Sequence, residues 1–206
     1  TAAGTTVANG AALEISGGIT IGAESLTLNG SGISSAGALR NISGDNTFQG
    51  TITQASASRI NSDSGTLYLD VASGNGISGS YNLNFGGSGN IVVRDPIATS
   101  TGTLTKDGSG KLILAGNNTY SGNTTLSAGS IDVAHNNSLG TGSLSLAADT
   151  ILFLENGISI SNNISLGGNA SIKFNPVDFE YLVVGGGGGG GNGYDNAGGG
   201  GGGGGM

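Results

Sequence analysis

Cysteine and tryptophan are missing from this 206-residue chain, and proline occurs only twice. Without cysteine there is no disulfide framework and no thiolate chemistry, an absence that is neutral about compartment. Charge is also scarce: Asp, Glu, Lys and Arg make up 9% of residues, against about 25% in ordinary globular proteins. The formal net charge is −7, and the six basic residues never cluster. Nucleic-acid binding needs a basic stripe against the phosphates, so DNA and RNA are not expected partners. No run of about 18 apolar residues occurs, which excludes a transmembrane helix. The chain starts at Thr1 without a methionine or a signal-peptide pattern, as expected of a processed chain or an excised fragment.

What the chain has is glycine, 44 residues of it, set among regularly placed Ile, Leu and Val. That regularity argues against simple disorder. Apolar pairs at i and i+2 recur throughout: Leu13/Ile15, Ile19/Ile21, Leu67/Leu69, Ile91/Val93, Leu112/Leu114, Ile158/Ile160, Ile164/Leu166 and Ile172/Phe174. Such a pair puts both side chains on one face of a strand. Gly, Asn, Ser or Asp separates successive pairs, so the beat of roughly seven residues is strand and turn, too short for helices. An antiparallel sandwich would have longer spacing and more aromatic residues than the 5% found here. A parallel β-helix fits better, with about eight coils of roughly 20 residues, three short strands in each, and an interior column of stacked Ile, Leu and Val. Low charge suits it, because coils place like residues above one another and charged ladders would repel. The expected fold class is all-β.

One longer repeat stands out. "SGDNTFQGTIT" (43–53) aligns with "AGNNTYSGNTT" (115–125) at an offset of 72 residues, exchanging Phe48 for Tyr120. The aromatic residue is expected to enter or cap the column while Asn and Gly shape the bend.

The segment "GTLTKDGSGKLILAGNNTYSGNTTLSAGSIDV" (102–133) resembles the autotransporter-associated β-strand repeat, also called the passenger-associated transport repeat. Leu104, Lys106, Gly108, Gly110, Leu112, Leu114, Gly116, Asn118, Thr119, Tyr120, Gly122, Thr124 and Gly129 stand in the places of that pattern, with Ile131 for its final Leu. The resemblance implies a right-handed parallel β-helix, secretion, and presentation at a bacterial surface. No membrane barrel follows in this sequence, which leaves the secretion route open.

A division is expected at Pro176, with a β-helix over 1–176 and a capping strand plus glycine-rich segment over 177–206. "FEYLVVGGGGGGG" (179–191) is similar to glycine-rich segments of phage tail-fibre tips and bacterial surface proteins. There the glycines pack as polyproline-II helices, whose outward N–H and C=O groups must pair with neighbours. Two such stretches, marked by Gly185, Gly188 and Gly191 and by Gly198, Gly201 and Gly205, are too few to satisfy one another. The tail is therefore expected to assemble with other copies of the chain. Between them, Asn192, Tyr194, Asp195 and Asn196 form a turn with weak potential to stack on a surface glycan.

Catalytic and metal signatures fail one by one. "DGSGKL" lacks the spacing and the Ser/Thr of a phosphate loop. "GGSGNIVV" (86–93) puts Ile91 where a calcium roll needs aspartate. His135, the sole histidine, lies in a turn with no nucleophile pattern and reads as an exposed turn residue. Arg40, Arg59 and Arg94 are scattered, and no carboxylate pair recurs at coil spacing. No enzyme activity and no cofactor are expected. The sequence reads as an extracellular structural protein of a fibre, sheath or biofilm matrix, assembling with itself; the alternative is an adhesin or tail-fibre-like module that recognises surface glycans.

Overall fold

The computed structural model describes residues 4–174. Over this range the chain is an all-β parallel solenoid of about eight turns. The strands form two continuous sheets, the first of which bends over two faces of the coil through the long strand Ile52–Ser62. The first is a 12-stranded sheet whose main path runs from Thr5–Val7 to Ile164–Leu166. The second is an eight-stranded sheet from Thr20–Ile21 to Ser171–Phe174. Every pairing between strands is parallel and joins one coil to the next, so backbone amides are satisfied between coils at a spacing of about 4.8 Å.

The apolar pairs become columns. On the second sheet Phe48, Leu69, Val93, Leu114, Val133 and Leu154 stack in register, all buried. Beside them run Leu67, Ile91, Leu112, Ile131 and Leu152. Each such side chain contributes about 1.5–3 kcal/mol by leaving water. The columns meet in one hydrophobic core.

The third face is less regular than the expected three strands per coil. Leu26, Ile52, Ile77 and Ile97 stack there in short strands. Above Ile97 the ladder passes to a side chain, that of Asn118, and regular strand is lost on this face. The pair Ile158/Ile160 accordingly falls outside any strand, only partly buried. Ile164 and Leu166 form a strand but stand exposed, as does Phe174 at 72%. The beat is also broken early. Residues 30–37 leave the coil and return through a bridge between Gly32 and Gly37, with one 3-10 turn at Ile33–Ser35.

Candidate functional site

Three polar residues of the repeat pattern occupy places that neighbouring coils give to hydrocarbon. Lys106 stands in the column Ile60, Phe85, Lys106, Leu126, Leu146. Thr124 stands between Leu104 and Leu144. Asn118 follows Ile97 on the third face. Lys106 is 1% exposed and Thr124 fully buried. Burial of a polar group is costly unless it finds partners, and each of these finds at least one on a neighbouring coil.

The Lys106 stem fills the column while its ammonium donates three hydrogen bonds. Two go to the carbonyls of Asp107 (2.7 Å) and Gly108 (2.8 Å) in its own turn, and one to Ala128 (3.2 Å) in the next coil. Three donors meet three acceptors, which is the full capacity of an ammonium group. Burial pushes its pKa from 10.5 down to about 8, with the nearby Asp107 carboxylate opposing. The site needs the chain to turn sharply beside it. Gly108 has φ +75°, and a Cβ there would collide with the backbone of Gly87 one coil below.

Asn118 binds the coils on both sides. Its Oδ1 accepts the Ile97 amide at 2.7 Å, and its Nδ2 donates to the Ser138 carbonyl. Tyr120, buried in the core, shares a hydrogen bond of 2.8 Å with the Thr124 hydroxyl. Desolvation of its phenolate raises the tyrosine pKa well above the usual value. Of the remaining pattern residues, Leu104, Leu112 and Leu114 are core, Thr119 is exposed, and Gly110, Gly116, Gly122 and Gly129 pass directly over backbone of the coil below.

The 72-residue repeat turns out to be local and not a matching of coils. Asn46 stacks in register with Leu67, Ile91 and Leu112, six residues before Asn118. The two strings therefore sit at different corners. Yet both do the same work: Asn46 Oδ1 accepts the Ile19 amide at 2.7 Å, and Thr47 returns its amide to the Ile19 carbonyl. Phe48 is buried like Tyr120, and both Gly50 and Gly122 lie against a carbonyl of the coil below.

His135 is half-buried instead of exposed; its Nδ1 accepts the Asn137 amide at 3.1 Å. Among the described residues no three His, Asp or Glu side chains gather as metal ligands would. The glycine assembly positions and the turn at Asn192, Tyr194, Asp195 and Asn196 lie outside the described residues.

A surface feature was not visible from the motifs. The excursion at 30–37 overhangs the outer face of the 12-stranded sheet and walls a hollow of about 540 Å³. Ser31 and Ser35 line the wall, and Arg59, Asn84 and Thr105 line the floor. Arg59 is held by two hydrogen bonds to Asp107, of 2.7 and 2.5 Å, and that guanidinium keeps the Asp107 carboxyl below its ordinary pKa range. Farther along the same face a second hollow of about 250 Å³ is lined by Thr125, Ser143, Ser145 and Asn163. Sequence reasoning missed both, because their linings come from segments about 20 to 75 residues apart, a separation no local pattern encodes.

Residues 104–133 match the family model of the Passenger-associated-transport-repeat. A stretch covering 42% of this chain is 37% identical to the Adhesin BmaC autotransporter of Brucella suis biovar 1 (strain 1330). That stretch is 3% of the relative, so the chain spans a small fraction of the length of the curated protein it matches. No solved structure matches it. The chain thus carries a transport repeat in a passenger-like solenoid, with distant similarity to an autotransporter adhesin.

Proposed function

We propose that this chain is a non-enzymatic, extracellular structural segment of a bacterial surface protein, building or decorating a fibre, sheath or biofilm matrix. The observation that carries this reading is the set of buried polar ties at Lys106, Asn118 and Thr124, which lock successive coils where the chain matches the transport repeat. Such ties favour a solenoid that resists local opening, as a load-bearing or protease-exposed segment requires. Secretion and surface display follow from the kinship with autotransporter passengers. Its partner is a second copy of itself, joined through the glycine stretches of 185–206, and it works without a cofactor.

Negative-stain microscopy of the full chain and of a deletion of residues 185–206 tests the reading. Regular polymers that disappear with the deletion are the expected result. Discrete short particles from both forms would overturn the fibre.

A second reading is supported by the similarity to an adhesin: the solenoid is a binding module recognising a surface glycan. Its test is adhesion of cells displaying the chain to a glycan-bearing cell layer, compared with cells displaying none.

A further inference from the structure

The outer face of the 12-stranded sheet carries two adjacent columns of small polar side chains. Asn82, Thr103, Asn123, Ser143 and Asn163 follow one another from coil to coil, joined by backbone bonds of 2.8–3.0 Å from the residue after each to the carbonyl of the next. The asparagines reinforce this order: Asn82 Oδ1 accepts the Thr103 amide and Asn123 Oδ1 the Ser143 amide, both at 3.1 Å. Two residues on, and so on the same side of the sheet, Asn84, Thr105, Thr125, Ser145 and Ser165 stack in strict register. The two hollows lie on this one face, the larger walled by Ser31 and Ser35. Tyr81, 46% exposed, immediately precedes Asn82.

We propose that this face is a binding track for a neutral, extended glycan, with the walled hollow as its principal subsite. This deepens the adhesin reading and rests on it.

The chemistry selects that ligand class by what the track offers and withholds. It offers hydroxyl and amide groups that both donate and accept, as a sugar's hydroxyls do. It offers no uncompensated charge, since Arg59 is already neutralised by Asp107 and neither hollow has an acidic or lysine side chain in its lining. An anionic polymer would find one occupied guanidinium and a chain of net charge −7. A peptide adding as a strand needs an open sheet edge, whereas backbone groups here are spent on the ladders between coils. A lipid would find polar groups where it needs apolar ones. The coil spacing of about 4.8 Å repeats the same donors and acceptors along the track, so a polymer of identical units can meet them successively.

The test is calorimetric titration of the full chain with neutral malto-, cello- and chito-oligosaccharides of graded length, at low and high salt. Binding by at least one series, tightening with length and indifferent to salt, is the expected result. The double substitution Thr103→Val and Thr105→Val keeps strand-favouring shape and removes two hydroxyls from the walled hollow. It should weaken binding about tenfold while leaving the thermal melt unchanged. Thr125→Val should weaken the longer oligosaccharides more than the short ones. Tyr194→Ala should change nothing. Failure to bind any neutral series, or indifference to the double substitution, would overturn the track, as would loss of binding in Tyr194→Ala. If displayed chains still mediate cell adhesion while the track fails these titrations, the adhesin reading stands without it; if adhesion is absent too, both fall.

Discussion

Lys106 reaches across one coil boundary to donate to the carbonyl of Ala128 at 3.2 Å, from a place in its column between Phe85 and Leu126. The transport repeat therefore places its lysine in the core and not on the surface. Asp107, Gly108 and Ala128 have no other hydrogen-bond donor for these carbonyls among the described residues. The ammonium is a tie between two turns as well as a filler of the column.

Replacing Lys106 with methionine keeps most of the volume but leaves three carbonyls without a donor. Each buried polar group so stranded costs about 1–3 kcal/mol; relaxation of the turns recovers part, and a net loss of about 3 kcal/mol is expected. Lys106→Ala adds a cavity and should be worse. Lys173→Met, which removes an ammonium near the Phe153 ring at 6.0 Å, should change stability by less than about 0.5 kcal/mol. Urea midpoints for the three variants check this. A Lys106→Met chain as stable as the parent would show that the tie is unimportant.

The same group makes stability depend on pH in a defined direction. The folded pKa is about 8, while the unfolded lysine titrates at 10.5. Between these values the unfolded chain holds the extra proton, so stability increases as pH rises through that window. Tyr120 acts oppositely at higher pH. Its folded pKa is raised above 10.0, so the unfolded state ionises first and stability falls as pH climbs further. Melting temperature should rise from about pH 8 toward 10 and then decline. Lys106→Met should remove the rise, and Tyr120→Phe should blunt the decline. A parent chain whose melting temperature falls steadily from pH 8 contradicts the assignment to Lys106.

Glycine in this solenoid is a matter of stacking distance as much as of turning. At Gly122 a Cβ would run into the carbonyl of Gly102 one coil below, and Gly142 lies over Gly122 in the same way. At Gly22 a Cβ meets nothing within 4 Å, and the backbone is not in the left-handed region. Gly122→Ala should therefore force coils apart and cost more than about 2 kcal/mol, with Gly22→Ala within about 1 kcal/mol of neutral or slightly stabilising. Equal denaturation midpoints for the two variants would mean that the coils yield easily at that corner.

How far the fold could be read from sequence differs between its parts. Pairs such as Leu67/Leu69 and Leu112/Leu114 became core columns because an i, i+2 pattern depends only on the local strand. The same pattern at Ile164/Leu166 gave an exposed strand, since burial depends on the coils around it and not on the pair itself. The burial of Lys106 was not legible, because composition cannot register three carbonyls that converge only when two turns stack. "NTF" and "NTY" were recognisably alike, but similarity of strings did not reveal that Asn46 sits on the second sheet and Asn118 on the third face. The walled hollow was illegible altogether, as its wall at 31–35 and floor at 59–105 share no pattern.

That Asn motif carries the final prediction. In each copy the side-chain oxygen takes the part of a ladder carbonyl: Asn118 Oδ1 accepts from Ile97 and Thr119 returns its amide to the Ile97 carbonyl at 3.0 Å, while Asn46 and Thr47 do the same to Ile19. An apolar residue in either place strands the amide below it. For Asn118 it also strands the Ser138 carbonyl, which the Asn118 amide otherwise serves. Asn118→Leu should thus cost about 2–3 kcal/mol despite adding hydrocarbon to the core. Asn117→Ala loses only an exposed side-chain bond of 2.9 Å to Asn137 and should stay within about 0.5 kcal/mol of the parent. Native-state hydrogen exchange gives the sharper readout. Asn118→Leu should release the Ile97 amide while leaving the Leu112 and Leu114 amides, bonded within the second sheet, protected. Equal loss of protection at all three would mean that the coil unfolds as one unit and that Asn118 is not a local substitute for the ladder.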